Sequence, residues 1–155
     1  MRACLKRGVG LGLGLGLGAA IGLLAVAAMP ARAQGLDASR VPFVTIAPGV
    51  RMKELTGLAA PLRSARQSVA LFRLDAGHGN PSSHNETSEE IFVIVAGRGV
   101  VWLDGTPHPV SAGDVVRIAP RVRHRAVAGQ GDALCFYAIS APPFRPDDYH
   151  LDAGP

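Results

Sequence analysis

Short apolar runs separated by turn-forming residues dominate the chain after residue 66. Glycine-containing segments such as Asp104-Gly105 lie between the runs, and no helical period is sustained between them. This spacing predicts an antiparallel sandwich or barrel, not a parallel α/β sheet. The runs are rich in β-branched and aromatic side chains and cover residues 67–74, 90–95, 99–103, 114–118, 124–127 and 133–139.

The segment before these runs, residues 34–66, has a mixed pattern of apolar and polar positions. We expect it to form an arm with one short strand at residues 43–46. A helical turn has room only within residues 52–66, where Pro61 interrupts it.

The tail from residue 144 onward is rich in proline and aspartate, and we expect it to wrap the outside of the barrel. Pro146 favours the start of a short helix, with Asp147 and Asp148 in its first turn. The expected organisation is an N-terminal segment at residues 1–33, an arm at 34–66, a barrel at 67–143 and a tail at 144–155.

The run at residues 67–74 is apolar on both faces. Ala70 and Phe72 alternate with Val69 and Leu71 along the strand. A strand of this kind lies inside a sandwich or at a contact between subunits. The pattern is therefore compatible with a homodimer.

The first 33 residues have the three parts of a signal peptide in the right order. Three basic residues within the first seven precede an uncharged, mostly apolar run at residues 8–29, and Ala31-Arg32-Ala33 provides a small-residue cleavage site. Cleavage there would place the mature chain in the periplasm or outside the cell, without stable membrane association. Because residues 8–29 are long enough to span a bilayer, an uncleaved membrane anchor is the competing interpretation.

Charge and cysteine content narrow the function classes. The chain has 16 Lys and Arg against 12 Asp and Glu, but residues 1–33 hold four of the bases and no acid. The remaining chain is formally neutral, so nucleic-acid binding is not expected. Cys4 lies in the removable segment and leaves Cys135 alone, which excludes a disulfide framework.

Candidate chemistry lies in two segments that flank the middle strands. In an extended run, His84 and Glu86 point to the same face, and Glu90 can return to that face beyond a bend at Thr87-Ser88. His124 begins a later strand and could complete the group. Because two buried carboxylates need compensation, the pattern favours a cation between these side chains.

The first of these segments resembles a motif of the cupin superfamily, Gly-x5-His-x-His-x3,4-Glu-x6-Gly. With His84 as the first histidine, Glu86 stands in the place of the second, and Glu90 and Gly97 match the glutamate and the closing glycine. The upstream glycine is off by one residue, because His78 stands in its place.

The family's second motif is matched mainly at its ends, by Gly113 and His124. The resemblance covers roughly residues 67–143. It implies an all-β fold, the double-stranded β-helix or jelly-roll barrel of the cupins.

A second register of the first motif stays open. In it His84 is the second histidine, Ser82 stands in the place of the first, and the gap to Glu90 is one residue longer. A slip of one residue turns every side chain to the other face of a strand. The spacing from Glu90 to Gly97 favours the first register.

In the favoured register the resemblance implies a metal site formed by His84, Glu86, Glu90 and His124. Two imidazoles with two carboxylates suit Mn²⁺, Fe²⁺, Zn²⁺ or Ni²⁺ and leave positions for water or substrate. If Glu86 is not a ligand, the other three form a set of two histidines and one carboxylate.

Two functions follow from the resemblance. The first is an exported metal-dependent enzyme that acts on a small, oxygenated and potentially anionic molecule. The second is a non-catalytic periplasmic protein that binds or senses a ligand in the barrel without metal. Four arginines lie near His124, and we expect Arg117 or Arg123 to meet an anionic ligand.

Overall fold

Two β-sheets face each other across a shared interior in the computed structural model, which describes residues 34–152. The predicted signal peptide at residues 1–33 lies outside the described residues. Within 34–152, no helix is long and apolar enough to cross a membrane. A single 3₁₀ turn, Ala38–Arg40, precedes the strands.

The strands are β1 Val44–Ala47, β2 Val50–Gly57, β3 Leu62–Arg63, β4 Ser68–Leu74, β5 Ser83–Asn85, β6 Glu89–Ala96, β7 Arg98–Leu103, β8 Thr106–Ser111, β9 Val115–Ile118, β10 His124–Ala128, β11 Leu134–Ala141 and β12 Tyr149–Leu151. The seven-stranded sheet has the order β1-β2-β4-β11-β6-β9, with β3 paired to β2. The five-stranded sheet has the order β12-β5-β10-β7-β8. All pairings are antiparallel except that of β2 with β3.

The six strands predicted for the barrel are confirmed, as is the short strand in the arm, and the all-β fold class with them. Each observed end lies within two residues of the predicted one. Their alternating side chains meet between the sheets, where Phe136 stacks on Phe72 at 5.2 Å and contacts Phe92 at 4.5 Å between ring centroids. Burial of such rings supplies much of the stabilisation of a core this size.

Strand β2 occupies part of the segment in which the sequence left room for a helical turn. Successive side chains of β2 point to opposite faces of the sheet. Both faces carry polar side chains, so the sequence does not show the apolar and polar alternation that predicts a strand. Lys53 is only 7% exposed, yet its Nζ donates to the Ala38 carbonyl oxygen at 2.6 Å and lies 4.7 Å from the Phe43 ring centroid. The aliphatic stem of a lysine packs like an apolar side chain, which composition alone does not reveal.

Strand β8 lies at the edge of the five-stranded sheet and contains two prolines, so no strand was expected there. Pro107 and Pro109 pair with Trp102 and Val100 of β7. Residues two apart direct their backbone nitrogens to the same side, so the missing N–H groups of both prolines face away from β7. An edge strand tolerates this arrangement because no neighbouring strand on that side needs an N–H donor from it.

Gly97 joins β6 to β7 and fixes where β6 ends. Its φ of +81° lies in the left-handed region, and a Cβ built on it would lie 2.0 Å from the Ala133 carbonyl oxygen. Only glycine fits both constraints. The end of β6 is thereby held in one register against β11.

The tail does not wrap the outside of the barrel, and the expected helix at Pro146 is wrong. Residues 146–148 form a turn, after which β12 pairs with β5, placing Tyr149 opposite Asn85. The tail thus extends the five-stranded sheet by one strand.

The hydrogen bonds of Asp148 hold the tail in this turn. Its carboxylate accepts hydrogen bonds from the backbone N–H and hydroxyl of Thr87, at 2.8 and 2.5 Å. It accepts the same two from Ser88, at 3.1 and 2.5 Å. Burial alone would raise the pKa of Asp148, but these four donors outweigh it and lower that pKa to about 2.

We expect Asp148→Ala to lower the free energy of unfolding by about 2 to 3 kcal/mol at neutral pH, because four donors lose a charged acceptor. Since the folded-state pKa is depressed from 3.8, this stabilisation is present above pH 4 and disappears as the pH falls towards 2. Urea unfolding at several pH values measures both effects. Asp147→Ala, which removes an exposed neighbouring carboxylate, is the matched control. Equal losses in the two variants would contradict the role given to Asp148.

Candidate functional site

A cavity of about 420 Å³ lies between the two sheets. The wall from the seven-stranded sheet comes from β2, β4, β6 and β11, and the opposite wall from β5, β10 and β12. Aromatic rings cover much of this surface. The polar side chains that reach it are Glu54, Ser68, Asn80, Ser83, Asn85, Glu90, His124, Ser140 and Tyr149.

Glu90 and His124 form the polar centre of the cavity. Glu90 is the second residue of β6 and His124 is the first of β10, so the pair joins the two sheets. The His124 Nε2 to Glu90 Oε2 distance is 3.0 Å, and the side chains are only 4% and 13% exposed, respectively. The Ser140 hydroxyl donates to Glu90 Oε1 at 3.0 Å, and the edge of the pair is covered by Phe92, 5.7 Å from the imidazole between ring centroids.

The hydrogen bonds of His124 determine how many protons the pair holds. Its Nδ1 lies 3.0 Å from the Val122 carbonyl oxygen, which can only accept, so Nδ1 carries a proton. The contact between Nε2 and Glu90 then requires one further proton, shared by the two side chains. The pair therefore presents one transferable proton to the cavity.

Opposing effects act on the pKa of the His124 imidazole. Burial disfavours the imidazolium and by itself lowers the pKa of His124. The hydrogen bond and negative charge of Glu90, with a smaller contribution from the Val122 carbonyl, outweigh burial and raise that pKa above its usual 6.5. The raised pKa favours the form of the pair in which an imidazolium faces a carboxylate.

The structure does not bring the other two predicted ligands to this point. His84 faces away from the cavity, its Nδ1 2.8 Å from Asp152 Oδ1 and its ring stacked on His150. Glu86 lies outside the cavity and accepts from Arg121 Nε at 2.8 Å. Of the four predicted residues, only Glu90 and His124 meet.

The cause is a shift of one residue in β5 relative to both registers considered from the sequence. Ser83 and Asn85 face the cavity and are 1% and 7% exposed, which leaves His84 on the other face. With Ser83 and Asn85 in the places of the two histidines, every spacing of the motif fits, including Gly77 upstream. The one-residue misfit of that glycine was the signal that pointed to this register.

The side chains at the cavity do not fit a divalent transition metal. Such metals bind through three or four imidazole, thiolate or carboxylate groups. No group of three such residues converges anywhere in residues 34–152. At the cavity centre, one imidazole and one carboxylate already bind each other, and the neutral Ser83 and Asn85 occupy the remaining positions.

The arginines near His124 also face away from the cavity. Arg117 Nε donates to Glu89 Oε2 at 2.7 Å, and Arg123 lies 3.9 Å from Asp104. Neither residue lines the cavity, so neither is placed to meet a ligand there. Their charges are directed to the solvent-facing side of the barrel.

One family model and three curated proteins are similar to parts of this chain. A family model described as a cupin domain matches residues 70–140. An uncharacterized protein of Methanocaldococcus jannaschii is 30% identical over 89 residues, which are 57% of this chain and 71% of that protein. The dimethylsulfoniopropionate lyase DddW of Ruegeria pomeroyi is 30% identical over 70 residues, 45% of this chain and 46% of the lyase.

A third relative is the endoribonuclease YbeY of Myxococcus xanthus, 28% identical over 105 residues and 67% of this chain. This chain spans only 35% of the length of that endoribonuclease, and less than half of the lyase. The similarity to these two proteins therefore concerns a part of each.

Solved structures show the same fold. A cupin protein from Bacteroides fragilis has a TM-score of 0.58 at 28% identity, over 70% of this chain and 82% of that one. A nucleoside dehydratase from Streptomyces, also solved with uridine, has a TM-score of 0.65 at 16% identity, over 78% of this chain and 92% of its own. At that identity the second likeness concerns the fold alone.

We expect Glu90→Gln to lower the pKa of His124 relative to the parent, because burial is then no longer offset by the carboxylate. In the parent, the raised pKa means that protonated His124 stabilises the fold below pH 6.5 and that this stabilisation is lost as the pH rises through the raised value. NMR titration of the His124 imidazole resonances in the parent and in the variant measures the change. An unchanged His124 titration would contradict the pairing.

Proposed function

This chain belongs to the cupin superfamily, and we propose that its cavity binds a small oxygenated molecule to which the Glu90 and His124 pair transfers a proton without a bound metal. The observation that carries the proposal is the buried, proton-sharing pair on the wall of a largely apolar cavity. In such surroundings a positioned acid and base are more effective than in water.

The geometry supports an elimination. The Glu90 carboxylate accepts a proton from a carbon next to a carbonyl group, and His124 Nε2 donates its proton to the leaving oxygen. The pair is then a neutral imidazole and a carboxylic acid. The proton returns from Glu90 to His124 along their hydrogen bond, which restores the starting state with no net change in the protein.

Neighbouring groups orient the pair for this cycle. The Val122 carbonyl holds the imidazole so that Nε2 faces Glu90, and the Ser140 hydroxyl holds the second oxygen of Glu90. The name of one similar protein, a lyase, denotes an enzyme of the same reaction class. This likeness supports the reaction class, and the substrate is a separate question.

Metal-dependent catalysis is the hypothesis that the sequence favoured, with Mn²⁺, Fe²⁺, Zn²⁺ or Ni²⁺ held by His84, Glu86, Glu90 and His124. It stays a prediction, for which the cavity offers two of the four side chains. Binding or sensing without catalysis is the other candidate, and the enclosed aromatic wall favours it as much as it favours an enzyme. Export of the chain and formation of a homodimer through β4 also stay predictions.

Catalysis can be tested with a panel of hydroxylated carbonyl compounds and nucleosides incubated with the protein in D₂O. We expect at least one compound to undergo elimination or to gain deuterium, as seen by ¹H NMR. Glu90→Gln and His124→Gln should each reduce the rate about 100-fold or more, because each removes one member of the acid–base pair. His108→Gln, which changes an exposed histidine, is the control.

The variants also separate the three hypotheses. Activity that persists in a chelator and in His84→Ala supports the metal-free pair, whereas activity lost in both supports a metal. Compounds that bind but never react, with binding altered by His124→Gln, would favour the sensing function.

A further inference from the structure

Glu54 is a second carboxylate on the cavity wall, and the proton-transfer pair does not use it. It lies on β2, in the same sheet as Glu90 but three strands away across β4 and β11. In the register of the sheet, Glu54 lies opposite Ala70, Ala70 opposite Ala138, and Ala138 opposite Phe92. The two small side chains leave open space between Glu54 and the ring that covers His124.

The carboxylate of Glu54 is held in a notch over the backbone of Gly57. A Cβ built on Gly57 would lie 2.3 Å from Glu54 Oε1. Any larger residue at position 57 would therefore displace the carboxylate. Glycine at position 57 thus leaves space for the carboxylate of Glu54.

Glu54 gives the cavity an uncompensated negative charge. Two carboxyl groups and one imidazole line the cavity, namely those of Glu54, Glu90 and His124. Glu90 is paired with His124, whereas Glu54 makes no ion pair with any residue between 34 and 152. An unpaired carboxylate beside an apolar surface is costly, and a ligand of opposite charge offsets that cost.

Aromatic rings line the same cavity as this charge. Phe72 follows Ala70 on the same face of β4 and stacks on Phe136. Phe144 and Tyr149 of the tail, 5.7 Å apart between centroids, also line the cavity. Aromatic faces attract cations and repel anions, so they add to the preference that Glu54 creates.

We propose that Glu54 anchors an organic cation, so that the molecule bound in the barrel carries an ammonium-type group at one end. The oxygenated end of the same molecule lies towards Glu90 and His124. This inference rests on the proposed function, because it describes the ligand of the same cavity. It replaces the anionic ligand expected from the sequence, whose arginines face away from the cavity.

The test compares two probes of nearly the same shape, choline and 3,3-dimethylbutan-1-ol, which differ mainly in the positive charge. Isothermal titration calorimetry and ¹H NMR titration at low ionic strength measure their binding to the purified protein. We expect choline to bind about tenfold more tightly than the alcohol. In Glu54→Gln the two dissociation constants should agree within about twofold, since the shape of the side chain is kept and its charge removed.

Two further variants isolate the effect of Glu54. Asp132→Asn removes an exposed acid outside the cavity and should leave the preference for choline unchanged, which excludes an effect of net charge. Gly57→Ala displaces the Glu54 carboxylate without altering its charge and should also reduce the preference. Thermal unfolding of each variant shows whether it is folded at the temperature of the titration.

Each outcome has a distinct meaning. Equal binding of the two probes by the parent, or a preference that persists in Glu54→Gln, would overturn the inference while leaving the Glu90 and His124 proposal intact. Failure of both probes to bind would also overturn it. Loss of proton transfer in His124→Gln, measured as above, judges the proposed function independently of these results.

Discussion

The hydrogen bond between His124 and Glu90 is the interaction on which the interior of this barrel depends. It joins the starts of two strands that belong to different sheets, β6 and β10, and it compensates two ionisable groups that would be costly to bury separately. Both remaining positions of the pair are also satisfied, by the Val122 carbonyl and the Ser140 hydroxyl. A fully bonded pair of this kind holds a fixed geometry, which proton transfer requires.

The tail contributes to the site from outside the matched cupin domain. Asp148 holds the tail against the turn between β5 and β6, and β12 then runs along β5. Tyr149 and Leu151 thereby reach the cavity wall, while Asp152 receives the outward-facing His84. The conformation of the tail therefore affects both the shape of the cavity and the identity of the residues that face it.

The sequence predicted the strands of the barrel and two of the four side chains proposed for its centre. The strands rich in β-branched and aromatic residues were predicted correctly because the composition of each run is enough to indicate a strand. Strand β2 was missed because the stem of Lys53 packs like an apolar residue, and β5 is too short, at three residues, to reveal its own phase. His84 was assigned to the interior because taking it as the first histidine of the motif kept the spacing to Glu90 and Gly97. The pairing of β5 with β10 and β12 instead directs Ser83 and Asn85 inward.

The most direct test of this account is the metal content of the protein, purified without chelator or immobilised nickel, beside a variant that restores the motif. We predict that the parent retains no stoichiometric transition metal. The double variant Ser83→His and Asn85→His should gain close to one equivalent, because three imidazoles would then converge with Glu90. A full equivalent of metal in the parent that is lost in His84→Ala would contradict the account.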